Sequence, residues 1–241
     1  MRTSGVVIVT TLVTLALAVP SWAAPTPEQR CQQVRYTEAG KYGACHQKEF
    51  AKAYGARSHD LQFKLARCTT KYTGKWPRLR AQAGGTGATC DRDRFEDNGD
   101  GTVTDWLTGL QWEKKTDDAS VHDKDNLYSW SATQVSTAAD GTAFTSFLPA
   151  LNSGGCFAGQ CDWRLPTIAE LMTILLATYP CATSPCIDEA VFGPTVADNY
   201  WTSNSDANRP IGVWAVRFED GYVGGWDKDN GYYVRAVRFL W

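Results

Sequence analysis

Eight cysteines are the residues of this chain best placed to do chemistry, and their spacing divides them into two kinds. Cys156 and Cys161 enclose four residues, and so do Cys181 and Cys186. A gap of that size closes into a local loop, so two local disulfides are expected. Cys31, Cys45, Cys68 and Cys90 lie far apart, and four cysteines allow three pairings. Three histidines, His46, His59 and His122, are too few for a His-rich metal centre. A Ser-His-Asp arrangement in the C-terminal part would have to use His122, and no Gly-x-Ser-x-Gly elbow accompanies it. A His-Glu-x-x-His zinc spacing is also missing from the sequence. The 26 Asp and Glu make neighbouring carboxylates common by chance, so acid pairs say nothing about catalysis. This inventory points to binding rather than turnover, with no metal and no cofactor expected.

Disulfides need an oxidising compartment, and the first residues supply a route to one. Arg2 is followed by an apolar run from Val6 to Val19. Pro20 breaks the run, and Ser21-Trp22-Ala23-Ala24 offers small residues for cleavage. This pattern reads as a signal peptide over residues 1–24, with a secreted or periplasmic mature chain. The run is shorter than the ~20 residues of a spanning helix, so no membrane span is expected in the mature chain. Glu28-Gln29-Arg30 before Cys31 lacks the Leu and small residues of a lipoprotein signal, so lipidation is not expected. The overall composition, 43% hydrophobic with ten Trp and ten Tyr, excludes wholesale disorder, a coiled coil, a collagen-like repeat and a multi-span membrane protein.

The formal net charge of −2 averages two unlike modules. Residues 25–90 carry 12 Lys and Arg against 4 Asp and Glu. Residues 91–241 carry 11 against 22. Gly84-Gly85-Thr86-Gly87 is a plausible hinge between them. In the basic module Thr26, Pro27 and Gln29 suit a helix start, and Cys31, Val34, Tyr42, Cys45 and Ala53 recur near helical spacing. Gly55 punctuates, Ser58 suits a second cap, and Leu61, Leu65, Cys68 and Tyr72 form a second apolar stripe. A turn between Ala56 and Arg57 would set Cys45 and Cys68 side by side. That favours Cys45–Cys68 with Cys31–Cys90 and leaves the other connectivities open. The Lys and Arg scatter around both helices, the pattern of a solvated face or of a contact with the acidic neighbour. Lipopolysaccharide, polysaccharide or nucleic acid is the alternative reading of that charge. Nucleic acid is not expected as a partner.

The acidic module carries ordered motifs. Arg94-Phe95-Glu96-Asp97-Asn98-Gly99-Asp100-Gly101-Thr102-Val103-Thr104-Asp105 leads into Thr108-Gly109-Leu110-Gln111-Trp112. Asp162-Trp163-Arg164-Leu165-Pro166-Thr167, Glu170-Leu171, Cys186-Ile187-Asp188, Phe192-Gly193-Pro194, Tyr200-Trp201-Thr202-Ser203 and Tyr233-Val234-Arg235-Ala236-Val237-Arg238 follow. In this order they resemble the domain first catalogued as DUF1566, also called the Lcl C-terminal domain after a collagen-like adhesin. The resemblance covers about residues 92 to 239. It implies a C-type-lectin-like fold, shared with formylglycine-generating enzymes, and a secreted, non-enzymatic binding or adhesion role. It also implies sulfated glycosaminoglycans as ligands, which the acidic charge of this domain opposes unless the basic module supplies the contact. The fold class expected is α+β: a lectin-like domain with short helices and an antiparallel sheet, plus a small disulfide-bridged α-hairpin. Formylglycine-generating enzymes hold copper on two cysteines four residues apart, so a copper or thiol oxidase is the enzymatic alternative. A purely structural envelope protein is a third reading.

Within this module Asn98-Gly99-Asp100-Gly101 is hairpin-turn chemistry. Asp97, Asp100 and Asp105 also resemble a calcium loop, but Leu107 and Glu96 fall at positions 12 and 1 of an EF-hand frame and do not suit it. Trp130 to Ala139 suggests a short helix. Thr167 caps another with Glu170 as capping-box partner, and Ile168, Leu171, Met172 and Leu175 form its core face. Arg164 suits an ion pair or backbone carbonyls. From Ile211 the alternation reads as a strand to Phe218, a return from Tyr222 to Trp226, and a closing strand from Tyr232 to Leu240. This is a three-strand meander whose second turn points outward. Aromatic and polar residues on the outward loops are the candidate ligand-binding set: Asn204, Asp206, Asn208, Arg209, Tyr222, Trp226, Asp227, Lys228 and Asn230. Trp and Tyr stack on sugar faces and the amides and carboxylates meet hydroxyls, so a glycan or a cell-surface protein is the expected partner. The competing reading places Trp226 and Tyr222 in the core of the meander.

Overall fold

The computed structural model describes residues 94–133 and 138–240, together with 33, 34, 37, 38, 40–42, 44, 45, 48, 49, 52, 64, 67, 68, 70, 71, 74 and 75. The signal peptide over residues 1–24, the Cys31–Cys90 pairing and the hinge at 84–87 lie outside the described residues. The described residues between 33 and 52 are helical, as are those between 64 and 71. Cys45 and Cys68 join the two segments, with Cα atoms 5.9 Å apart. Tyr42 and Cys68 are buried together with Leu107, so the hairpin rests on a turn of the acidic module.

Among the described residues, seven strands form two antiparallel sheets. The first has the order β1-β2-β3-β7, with β1 Phe95–Asp97, β2 Thr102–Asp105, β3 Leu110–Glu113 and β7 Val237–Phe239. The second has the order β4-β5-β6, with β4 Asn199–Ser205, β5 Gly212–Arg217 and β6 Val223–Asp227. Asn98 to Gly101 makes the β1–β2 turn as expected, with Gly99 and Gly101 at positive φ. Asp97 accepts from Lys114 and the Gly99 amide, Asp100 from Thr102, and Asp105 from Arg94 and the Leu107 amide. Each carboxylate of the calcium-like loop is therefore taken by its own protein donors.

Strand alternation sorts the core. Val213 and Ala215 of β5 join Trp201, Trp130, Phe147, Trp163 and Leu165 on one side of the second sheet. Val216 and Phe218 join Tyr200, Trp112, Ile168, Leu171 and Val237 on the other. Both faces of β5 are thus covered, which fits its place in the middle of the sheet. The expected meander needs correction at its last strand. Tyr232 to Leu240 does not pair with β6; β4 completes the second sheet instead. Val234, Arg235, Ala236 and Val237 are all buried, and a run buried without alternation belongs between layers, not at an edge. The chain bridges Tyr200 at Tyr233, then crosses to pair Val237 with Trp112 of β3.

The helix Ile168–Met172 starts as expected. Thr167 accepts from the Glu170 amide at 3.2 Å, and the Glu170 carboxylate accepts from the Thr167 amide at 2.8 Å. Arg164 donates to both Glu170 oxygens, at 2.8 and 2.7 Å. The expected helix over Trp130–Ala139 is not formed in its described part: 130–133 and 138–139 are bends. The Trp130 and Ser131 amides donate to Lys228 O across the fold, and Asp140 accepts from Ser131 and Ala132, so helical pairing loses to long-range partners. The helical segment lies later, as a π-helical turn Ala143–Phe147 running into Leu148–Asn152. The local disulfides Cys156–Cys161 and Cys181–Cys186 are both present.

Candidate functional site

The β4–β5 turn and the turn after β6 meet at one end of the second sheet, because Gly212 pairs with Asp227 in the ladder. Asp206 accepts from the Asn208 amide at 3.0 Å, and its own amide donates to Gly212 O at 3.0 Å. Arg209 pairs with Asp227 across the two turns. The Asn230 amide closes the second turn on Asp227 O at 3.1 Å. Asn208, Arg209 and Asn230 are exposed there, and Asp206 and Asp227 are half-buried. Five of the nine candidates therefore share a polar rim.

Lys228 is placed differently. It is 2% exposed, and its ammonium donates to Pro210 O at 2.7 Å and lies 4.6 Å from the centre of the Trp130 ring. Burial pushes its pKa below the ordinary lysine value. Lys228 thus ties the two turns together from beneath. Asn204 also looks inward: its Oδ1 accepts from the Ile168 amide at 2.8 Å and helps cap the helix Ile168–Met172.

The two aromatic candidates lie on one face of β6. Tyr222, Gly224 and Trp226 alternate along the strand, so all three point the same way. Gly224 is buried, and the two rings close over it. A Cβ built there would meet Tyr222 Cε1 at 2.8 Å and Trp226 Nε1 at 3.4 Å. Both rings are half-buried. The Trp226 ring packs edge-on against Tyr232 with centroids 5.8 Å apart, and Tyr222 packs against Tyr179 at 5.6 Å. Arg217 lies over Tyr222 at 5.4 Å and is held by Asp220. The result is a row, Tyr179–Tyr222–Trp226–Tyr232, along the free edge of the sheet. The indole N–H of Trp226 is buried and has no hydrogen-bond partner among the described residues. The rings are neither wholly core nor wholly free; they are packed on one side and bare on the other.

Tyr179, Tyr232 and Arg217 were not singled out from sequence. A Gly between two aromatics at strand spacing was the available signal. A second missed feature is a buried ionic cluster. Glu113 accepts from Lys115 at 3.0 Å, the Ala236 amide at 2.9 Å, and faces His122 Nδ1 at 2.9 Å. Burial works against its charge, yet Lys115 and His122 hold its carboxyl below the ordinary glutamate value. Arg235 is fully buried and donates to Glu113 O, Phe192 O and Thr195 Oγ1 at 2.8 to 2.9 Å. A charged residue set between Val234 and Ala236 was its mark in the sequence. This cluster welds β3 to the strand that reaches β7 and opens onto no described cavity.

Two antiparallel sheets, short helices and local disulfides define an α+β domain. The family model of the Lcl C-terminal domain matches residues 101–238. The chain belongs to that family. No curated protein matches it. No helix among the described residues is long and apolar enough to cross a membrane.

Proposed function

We propose that this protein is a non-catalytic binding or adhesion module of the oxidising side of the cell envelope, and that its acidic domain holds a carbohydrate along the β6 edge. The observation that carries this reading is the row of aromatic rings, Tyr179, Tyr222, Trp226 and Tyr232, along the β6 edge. Sugar rings present C–H faces that pack on aromatic rings, and their hydroxyls need donors and acceptors at the rim. Arg209, Asp227, Asn208 and Asn230 supply both kinds. The lectin-like architecture belongs to this reading and is supported by the two antiparallel sheets and the short helices. Secretion through a cleaved signal also belongs to it, supported by three disulfides, which persist outside reducing compartments. The copper or thiol oxidase alternative needs thiols at pairs that here are bridged.

A glycan array probed with the mature protein tests the proposal. Selective retention on one glycan class is expected, with loss of retention in Trp226→Ala and in Tyr222→Ala variants whose circular dichroism is unchanged. An empty array, or retention by both variants equal to that of the unaltered protein, would contradict it.

A further inference from the structure

The basic module holds a cleft whose lining was not legible as a cluster in the sequence. Glu38, Lys41, Tyr42 and Cys45 recur at i, i+3, i+4 and i+7, so they share one face of the first helical segment. Cys68, Lys71 and Lys75 recur at i, i+3 and i+7 along the second. The Cys45–Cys68 bridge sets these faces against each other. Between them is a cleft of about 190 Å³ lined by these seven residues. Three lysines therefore line one cleft, where the sequence suggests scatter around both helices.

We propose that this cleft binds a phosphate monoester group, a second site independent of the aromatic edge. Three lysines face one carboxylate, which leaves a surplus of two positive charges. A phosphate monoester carries −1.5 to −2 near pH 7, which matches that surplus. The cleft already holds an anion of its own. Glu38 accepts from Lys75 at 2.7 Å and from Lys41 at 2.5 Å, and these two hydrogen bonds keep its carboxyl below the ordinary glutamate value. The Lys41 and Lys75 ammonium groups each have three donors and have spent one on Glu38. Lys71 is exposed and pairs with no carboxylate among the described residues. Free donors thus remain at the mouth, above a floor made by Tyr42 and the disulfide.

Calorimetric titration of the oxidised full chain at low salt tests this with inorganic phosphate, glucose 1-phosphate and glucose. Saturable binding of both phosphates and not of glucose is expected. Binding of glucose 1-phosphate alone would show that the cleft takes the ester and also holds its sugar. Lys71→Ala should weaken binding about tenfold, while Lys48→Ala, an equal loss of charge outside the cleft, should change it less than about twofold. Glu38→Gln should tighten binding several-fold, because it frees Lys41 and Lys75 from their internal anion. Failure of glucose 1-phosphate to bind, equal weakening in the Lys48 and Lys71 variants, or weaker binding in Glu38→Gln would each overturn the proposal.

Discussion

At the scale of the residue, burial separates side chains that hold the fold from those that meet a partner. Arg235 is the first kind. Its guanidinium serves two carbonyls and a hydroxyl in a fork that an ammonium does not reproduce. Arg235→Lys is expected to destabilise the domain by about 2 kcal/mol in urea unfolding, since it leaves buried acceptors unpaired. Glu113 is a second case, and its lowered pKa has a pH consequence. The folded carboxyl ionises below the unfolded value near 4.5, so the unfolded chain binds more protons between the two values. The stability it contributes is complete above the unfolded pKa and is lost as pH falls through the folded one. Unfolding midpoints measured between about pH 6 and pH 3 should therefore fall, and a Glu113→Gln variant should show a flatter decline from a lower starting stability. Neither residue was legible as a partner of the other, because their contact joins positions 113 and 235, and no local spacing encodes it. Lys228 departs from its outward placement because the Pro210 carbonyl and the Trp130 ring take its ammonium in place of water.

At the scale of the element, local signals were legible where the element is closed by its own neighbours. The Thr167–Glu170 capping box and the Asn98–Gly101 turn both complete themselves within a few residues. Thr167→Ala should cost about 1 kcal/mol in chemical denaturation. The start of the segment from Trp130 to Ala139 is not helical because the Trp130 and Ser131 amides answer to Lys228, nearly a hundred residues on. The last strand was misassigned because pairing partners of comparable apolar strands are set by layers, and only the unbroken burial of Val234 to Val237 marks the crossing. Gly193 records the same dependence on distant backbone. It sits at φ 77°, and a Cβ there would lie 2.0 Å from Lys115 O. Gly193→Ala should lose at least about 2 kcal/mol, read as a lowered melting temperature with the same unfolding cooperativity.

At the scale of the molecule, the charge division between modules was legible from simple counting, and so were the local cysteine pairs. The convergence of three lysines was not, because it depends on which faces of two helices the Cys45–Cys68 bridge brings together. The bridges differ in what they hold. Cys156–Cys161 and Cys181–Cys186 each close a five-residue separation, worth about 2 kcal/mol apiece in the chain-entropy view, and Cys45–Cys68 closes 23, worth about 3 kcal/mol. Cys45→Ser with Cys68→Ser should open the lysine cleft and abolish phosphate binding, yet leave the thermal transition of the acidic domain within a few degrees of wild type. Peptide mapping of the unreduced protein should recover the three bridges seen among the described residues.

The central claim is that the β6 edge touches sugar through Trp226. Its indole N–H resonance, followed by two-dimensional NMR during titration with the best glycan from the array, is the most direct reading. The account predicts a saturable shift of that resonance, while the indole of fully buried Trp112 stays fixed. Binding of the glycan with the Trp226 resonance unmoved would contradict it.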